Sequence, residues 1–405
     1  MDNVTNQESQ ITPTSEQAGG LVGSPIMDRF DMRLLETPSR ARPPTCPVRG
    51  CRERLVHAAT SPMSVLFCPR HALRIHSATR TFVYFNGTSV EDKKRAATRN
   101  LWFNAGYFVE HILGNAHKAE SHRFCHETSE DALTWNVFSM LESTNCLGHV
   151  LRWMLPNMFS DPPTNVELYL WGLRVSAEEP PPNGQFVPLI HARKAFEKGI
   201  RRFHTEPDIM LLVPGRALVL VEAKFTSGNT IAAKSGDADG EKPKTRAGIL
   251  HRYSPTLLPQ PTLLRDVAEG PFFTQLYRNL VFAVHMAAEI GTEWAFGNLT
   301  SKRQTGLRAS RTEYTDPKAF VLSLLPPDMH DRFVQPTWEA LEAAVIRPRN
   351  SLGDLAEYLR YKSAHCEEAF AISGAAVNKL AAGDAGIASQ LTIGHHWPGV
   401  PEPER

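Results

Sequence analysis

The sequence predicts an α/β protein, a mixed central sheet flanked by helices, with a small metal-binding module ahead of it. Three observations predict this. Helix-like and strand-like segments follow one another through the middle of the chain as helix, strand, hairpin, helix, strand, an order that lets helices cover a mixed sheet. The stretch TEPDIMLLVPGRALVLVEAKF, Thr205 to Phe225, reads as an apolar strand pair turning at Pro214 and Gly215. Ahead of both stands a compact Cys/His cluster, Cys46 to His76.

The chain has 405 residues and 42% apolar content, enough to bury a sizeable core, so disorder does not dominate it. Its 44 Lys+Arg against 43 Asp+Glu give a net charge of +1, which excludes a protein that coats nucleic acid through bulk charge. Any such binding must come from local patches. Candidates are Arg40 to Arg54, Arg193 to Arg202, Lys234 to Arg252 and Lys302 to Arg311, each of which also reads as a solvated face. The start MDNVTNQESQ lacks a basic lead and an apolar run, and no apolar stretch approaches membrane-spanning length. Six cysteines and no export signal point to the reduced cytoplasm, with no membrane partner.

In chain order, residues 1–44 are rich in Ser, Thr, Gln, Gly and Pro and are expected to be disordered. Residues 45–95 form the metal-binding module, which includes the strand-like TFVYF. The main domain spans 96–345. It opens with TRNLWFNAGYFVEHILGN, an expected amphipathic helix ending near Gly114. One or two further helices follow in SEDALTWNVFSMLESTNCLGHVLRWML, with Ser129 as N-cap. NVELYLWGLRV reads as a strand and leads to the hairpin. Next come a polar loop, SGNTIAAKSGDADGEKPKTRAG, and the helix PFFTQLYRNLVFAVHMAAEIG, stopped by Gly291 and apolar nearly all round. AFVLSLL is expected to be a strand. TWEALEAAVI and LGDLAEYLRYKSAHCEEAF are closing helices, the latter in an extension over 346–380, and 381–405 is a flexible tail.

The hairpin carries charges that folding alone does not favour, because burying unpaired charge costs several kcal/mol. Glu222 and Lys224, two apart on a strand, share one face about 7 Å from each other. A turn centred on Gly215 pairs residues whose numbers sum to 430, and Asp208 then lies opposite Glu222. A two-residue Pro-Gly turn would shift the register by one and send Asp208 to the other face. Granted the first register, two carboxylates and an ammonium converge at one sheet edge. Hard oxygen ligands of this kind suit Mg²⁺ or Mn²⁺, and the lysine can steady a metal-bound water and developing phosphorane charge. Mutual repulsion of the acids makes removal of one neutral or mildly stabilising in the metal-free protein, as an expectation.

Pro207-Asp208 followed by Glu222-Ala223-Lys224 at the end of the next strand resembles the PD-(D/E)XK nuclease superfamily, the restriction-endonuclease-like fold, over roughly residues 96–345. The resemblance implies a Mg²⁺-dependent phosphodiesterase, an endonuclease acting on nucleic acid and foremost on DNA, of restriction or anti-phage defence type. It implies the metal ligands Asp208, Glu222, Ala223 and Glu130. Glu130 is the acid expected from the preceding helix, with Asp131 and Glu142 as substitutes. It also implies a residue from the following helix, for which Gln275 is chosen, with Arg278 beside it at i+3. A homodimer or a defence-system protein is the partner expected. A nucleic-acid-binding or adaptor protein with little cleavage of its own is the competing reading.

The spacing Cys46-x4-Cys51, sixteen residues, then Cys68-x2-His71 supplies four ligands in two close pairs, the layout of a structural Zn²⁺ site. His57 and His76 are alternative fourth ligands. Flanking basic residues suit phosphate contact, although a protein-contact or purely stabilising module fits as well.

Overall fold

In the computed structural model of the chain, the described residues are 46, 51–57, 65–70, 73–76, 82–84, 100–112, 124, 126–176, 184–200, 204–226, 228–229, 252–253, 273–302, 316–366 and 372. The lead-in 1–44, the tail and, apart from Gly228 and Asn229, the polar loop after the hairpin lie outside them.

The N-terminal module is a four-stranded antiparallel sheet of consecutive strands, β1 (Val56–His57), β2 (Val65–Cys68), β3 (Leu73–His76) and β4 (Phe82–Tyr84). The segment expected to form a helix ending near Gly114 is helical only from Ala105, as a turn over Ala105–Tyr107 continued by a wider turn over Phe108–Ile112, the last described residue of the stretch. Local chemistry explains the difference. The buried Asn136 side chain accepts hydrogen bonds from the Trp102 and Phe103 N–H groups, at 2.7 and 3.3 Å, and Asn104 is left-handed with φ 53°. These bonds offer the backbone an alternative to helix.

The helices that frame the body are α1 (Glu130–Ser143), α2 (Leu147–Met154), α3 (Val187–Phe196), α4 (Thr274–Glu289) and α5 (Gly353–His365). Between them lies a six-stranded mixed sheet built from β5 (Glu167–Leu170), β6 (Leu173–Val175), β7 (Ile209–Val213), β8 (Ala217–Ala223), β9 (Glu293–Leu299) and β10 (Phe333–Val334). Its order is β10-β9-β8-β7-β5-β6. The β5, β6, β7 and β8 contacts are antiparallel, whereas β8, β9 and β10 run parallel.

Alternation along β7 and β8 divides the core between the two faces of the sheet. Leu211, Val219 and Val221 join Trp135, Leu151 and Tyr358 on the side of α1, α2 and α5. Met210, Leu218 and Leu220 join Leu280, Phe282 and Leu189 on the side of α4 and α3. Each fully buried Val or Leu of this central pair contributes about 1.5–3 kcal/mol. With both faces covered, the strands read as near-continuous apolar runs.

One correction concerns element type. AFVLSLL is not a strand: Pro317–Ser323 is a helix, with Asp316 accepting from Lys318 N–H at 2.9 Å and proline in the first turn. An N-cap acid followed by proline starts a helix whatever the apolarity of what comes next. The strand neighbouring β8 is β9, from the stretch EWAFGNL. The C-terminal helix α5 belongs to the main core, since the Tyr358 hydroxyl and Asn136 Nδ2 are 3.0 Å apart and Leu355 and Leu359 are fully buried.

Candidate active site and cysteine cluster

The β7–β8 register is the one that serves the acids. Ile209 pairs Val221, Leu211 pairs Val219 and Val213 pairs Ala217, every pair summing to 430. The loop explains why: three residues, Pro214, Gly215 and Arg216, separate the paired Val213 and Ala217, so it is not the two-residue Pro-Gly loop that would shift the register. Arg216 N–H donates to Val213 C=O at 3.0 Å across Pro214 and Gly215, and Gly215 has φ 69°. Proline presets the second turn position and glycine alone takes positive φ at the third without strain, the residue pattern of a type II turn. One step past the last pair, Asp208 comes level with Glu222. The Asp208 Oδ2 accepts from Ala223 N–H at 2.9 Å. Ala223 is extended, so its carbonyl points to the same side as its N–H, towards Asp208.

Glu222 is 2% exposed and Lys224 4%. Their ion pair, Nζ to Oε1, measures 2.5 Å. The other Glu222 oxygen accepts from Asn279 Nδ2 of α4 at 2.6 Å. Glu130 enters from the opposite helix layer. It is the first residue of α1, placed by Ser129, whose Oγ accepts from Ala132 N–H at 3.1 Å. Its Oε1 lies 3.2 Å from Lys224 Nζ, and its Oε2 accepts from Phe225 N–H at 2.8 Å. The Lys224 backbone is held as well: its N–H donates to Leu299 C=O at 2.8 Å, and its C=O accepts from Trp338 Nε1 at 2.9 Å.

Glu130, Glu222 and Lys224 are therefore in direct contact, with Asp208 adjoining. Asp131 points from the same first turn, while Glu142 sits twelve residues along α1, about 18 Å away by helix rise. Gln275 lies one turn before Asn279 on α4 and is exposed. It is Asn279 that holds Glu222. Arg278 stands over the Tyr253 ring, 5.1 Å from its centroid.

Electrostatics fixes the state of the lysine. Burial acts to lower its pKa, but Glu222, Glu130 and Asp208 together outweigh burial and hold the ammonium well above the ordinary lysine value. Lys224 is thus a cation at neutral pH, and the acids are partly neutralised before any metal arrives. The pairing argues against the expectation that deleting an acid is harmless in the metal-free protein, since loss of Glu222 or Glu130 removes one of the two acids that contact a buried cation.

Further polar groups extend the site along β9. Asn298 is the register partner of Glu222, and its Oδ1 accepts from Asn229 Nδ2 at 3.3 Å. Its Nδ2, with Thr300 Oγ1 and Ser301 Oγ, is buried without a hydrogen-bond partner among the described residues. Such a shelf suits ordered water or a ligand. The donor set fits Mg²⁺ or Mn²⁺, which take one or two carboxylates and keep several waters. The acids surround Lys224 and do not form a collapsed cage: among the described residues, the one group of three or more His, Cys, Asp or Glu ligand atoms within 4.8 Å is Cys46, Cys51 and Cys68.

Those three sulfur atoms are close enough to bind a metal, and the spacing is compatible with a tetrahedron of ~2.3 Å bonds. Cys46 is 5% exposed and Cys68 is fully buried at the end of β2. His71, the expected fourth ligand, lies outside the described residues, as do Lys234, Lys242, Lys244 and Arg246.

No helix among the described residues is long and apolar enough to cross a membrane. No protein-family model, no curated protein and no solved structure matches the chain.

Proposed function

We propose that the chain is a metal-dependent nuclease with a restriction-endonuclease-like core, acting as an endonuclease on DNA. The observation that carries this reading is the pairing of Glu222 and Glu130 with Lys224 at the open end of the β7–β8 hairpin, with Asp208 bonded to the Ala223 N–H beside them. A fold has no need to pair two acids with one buried ammonium and set a third acid beside them at a strand end. A nuclease has.

Asp208, Glu222, Glu130 and the Ala223 carbonyl would hold a divalent ion, which when bound would supply Lewis-acid activation of a phosphodiester and of a water. The chain's own residues do the rest. Asn279 fixes the Glu222 carboxylate, leaving each oxygen a second lone pair for the ion. Lys224, held at its carbonyl by Trp338, keeps a positive charge beside the position where the phosphorane gains negative charge. Glu130, hydrogen-bonded to Phe225 N–H, keeps α1 registered on the hairpin end. In the N-terminal module, Cys46, Cys51 and Cys68 would hold a structural Zn²⁺, with the fourth ligand, His71 by its spacing, outside the described residues.

The test is incubation of the full chain with plasmid, single-stranded DNA and RNA in Mg²⁺, Mn²⁺ or EDTA. Nicking or linearisation of plasmid, abolished by EDTA, is expected. Retention of DNA in a shift assay with no cleavage under any metal would establish instead a nucleic-acid-binding protein on the same framework.

A further inference from the structure

The carboxylate site has a neighbour that the proposed chemistry does not use. A cavity of about 700 Å³ opens between α3, residues 197–200 with His204 and Glu206, and the β5–β6 turn. Its size is that of a site for a small organic ligand. It stands on the α3/α4 face of the sheet, the face to which alternation assigns Asp208 and Glu222. It also stands at their end of the sheet. Trp171, in its lining, donates its backbone N–H to Asp208 C=O at 3.3 Å, and Glu206, also in its lining, precedes Asp208 by two residues, at most about 7 Å of chain.

The walls are built to stay open. Trp171 and Gly172 both have positive φ, 54° and 88°, so β5 turns back into β6 in the tightest way available. A side chain at Gly172 would meet Leu189 Cδ2 at 2.6 Å, which keeps that turn pressed on α3. On the other wall, the buried Glu197 accepts from Thr205 N–H at 2.9 Å, from Tyr253 hydroxyl at 2.8 Å and sits 3.2 Å from His204 Nδ1. That network pins the chain leading into β7.

The lining has two chemical halves. Phe186, Leu189 and Ile190 give an apolar slot. Arg193, Lys194 and Lys198 give a side with an excess of positive charge, both lysines exposed, while Glu197 and Glu206 of the same lining offset part of it at Arg193. The Arg193 Nε donates to Thr205 C=O at 2.9 Å, while its Nη2 is buried and has no hydrogen-bond partner among the described residues. A guanidinium with an unused buried donor is a site waiting for an acceptor. An inorganic anion has no use for the apolar slot, and a purely apolar molecule has none for three cations. A flat heterocycle joined to a phosphate uses both.

We propose that this cavity is a nucleotide pocket that receives one nucleoside unit of the substrate beside the scissile phosphate, its base in the slot at Phe186, Leu189 and Ile190 and its phosphate at Arg193, Lys194 and Lys198. The assignment of a substrate subsite rests on the nuclease reading, whereas the binding of a nucleotide is tested apart from it. The four deoxynucleoside 5′-monophosphates are titrated into the full chain in EDTA, with inorganic phosphate and the corresponding nucleosides as controls. Two variants accompany the wild type, Ile190→Trp to fill the slot and the exposed pair Lys194→Glu/Lys198→Glu to reverse the rim.

The expected result is binding of at least one monophosphate, with inorganic phosphate a poor competitor and at least a tenfold loss of affinity in each variant. In metal-dependent cleavage the same variants should raise KM about tenfold with kcat little changed. Absence of monophosphate binding, equal competition by phosphate, or unchanged affinity in the surface pair overturns the pocket, whatever the cleavage result. Monophosphate binding lost in the variants, in a wild type that cuts nothing, leaves the pocket standing and removes the nuclease reading.

Discussion

Replacing Glu222 by leucine should destabilise the metal-free protein, and the structure indicates by how much. Both members of the ion pair are at most 5% exposed at their side chains. The substitution leaves Lys224 Nζ with Glu130 at 3.2 Å and deprives Asn279 Nδ2 of its acceptor. Breaking a buried pair from one side costs about 3–5 kcal/mol, because the remaining charge has lost its compensation. For a body of this size about 2–4 °C of melting temperature goes with each kcal/mol, so a fall of ~6–20 °C is expected. Lys224→Met should cost a similar amount, by leaving two acids facing each other. The double variant Glu222→Leu/Lys224→Met should then be less unstable than the sum of the singles by at least ~1 kcal/mol. Urea denaturation in EDTA, with the slope of the transition checked for constancy, reads all four proteins. If both singles stay within about 0.5 kcal/mol of wild type and the effects add, the charges are solvated and the buried-pair argument fails.

Three further outcomes follow from the same geometry. Because the folded pKa of Lys224 is raised, its stabilisation is fully present below the unfolded value of ~10.4 and is lost only as pH rises through the higher folded value; the stability gap between wild type and Lys224→Met should be flat from about pH 6 to 9 and shrink in stronger alkali. Metal analysis of the purified chain should find about one zinc, and Cys68→Ser should lose it and unfold the module, since ligand binding energy at such sites is folding energy; protein carefully purified without zinc yet fully folded would count against the site. Neutralising Lys234, Lys242, Lys244 and Arg246 together should weaken DNA binding and lower the slope of its salt dependence, leaving Mn²⁺ affinity at the hairpin unchanged; an unaltered slope would make that loop a bystander.

The hairpin was legible in the sequence because its information is local. Pro214-Gly215 marks the turn but leaves two registers open; the charges favour the one centred on Gly215, and that register brings Asp208 level with Glu222. Ser129 likewise announces the helix that delivers Glu130. Asn279 left a weaker sign, a single amide in the apolar run LYRNLVFAV, one turn beyond the Gln275 chosen from the resemblance; only the crossing of α4 over β8 decides which of the two reaches Glu222. Asn298 and Trp338 were invisible for the same reason, since they meet Glu222 and Lys224 through strand pairing and chain return. The segment before α1 was misread because its backbone is captured by Asn136, more than thirty residues away. Pro317–Ser323 was misread because apolar content was weighed above the Asp316-Pro317 start signal.

The central claim is that Asp208, Glu222 and Lys224 carry out metal-dependent phosphodiester hydrolysis. The most direct measurement is the rate of supercoiled-plasmid nicking in Mn²⁺ by wild type, Asp208→Asn and Lys224→Met, with Mn²⁺ affinity of each folded protein measured alongside. Asp208→Asn should lose metal affinity and cleavage together. Lys224→Met should keep its metal and lose at least ~100-fold in kcat, the scale of a positioned charge at the developing phosphorane. Folded Asp208→Asn and Lys224→Met proteins that nick at the wild-type rate would contradict the account and place any nuclease activity elsewhere in the chain.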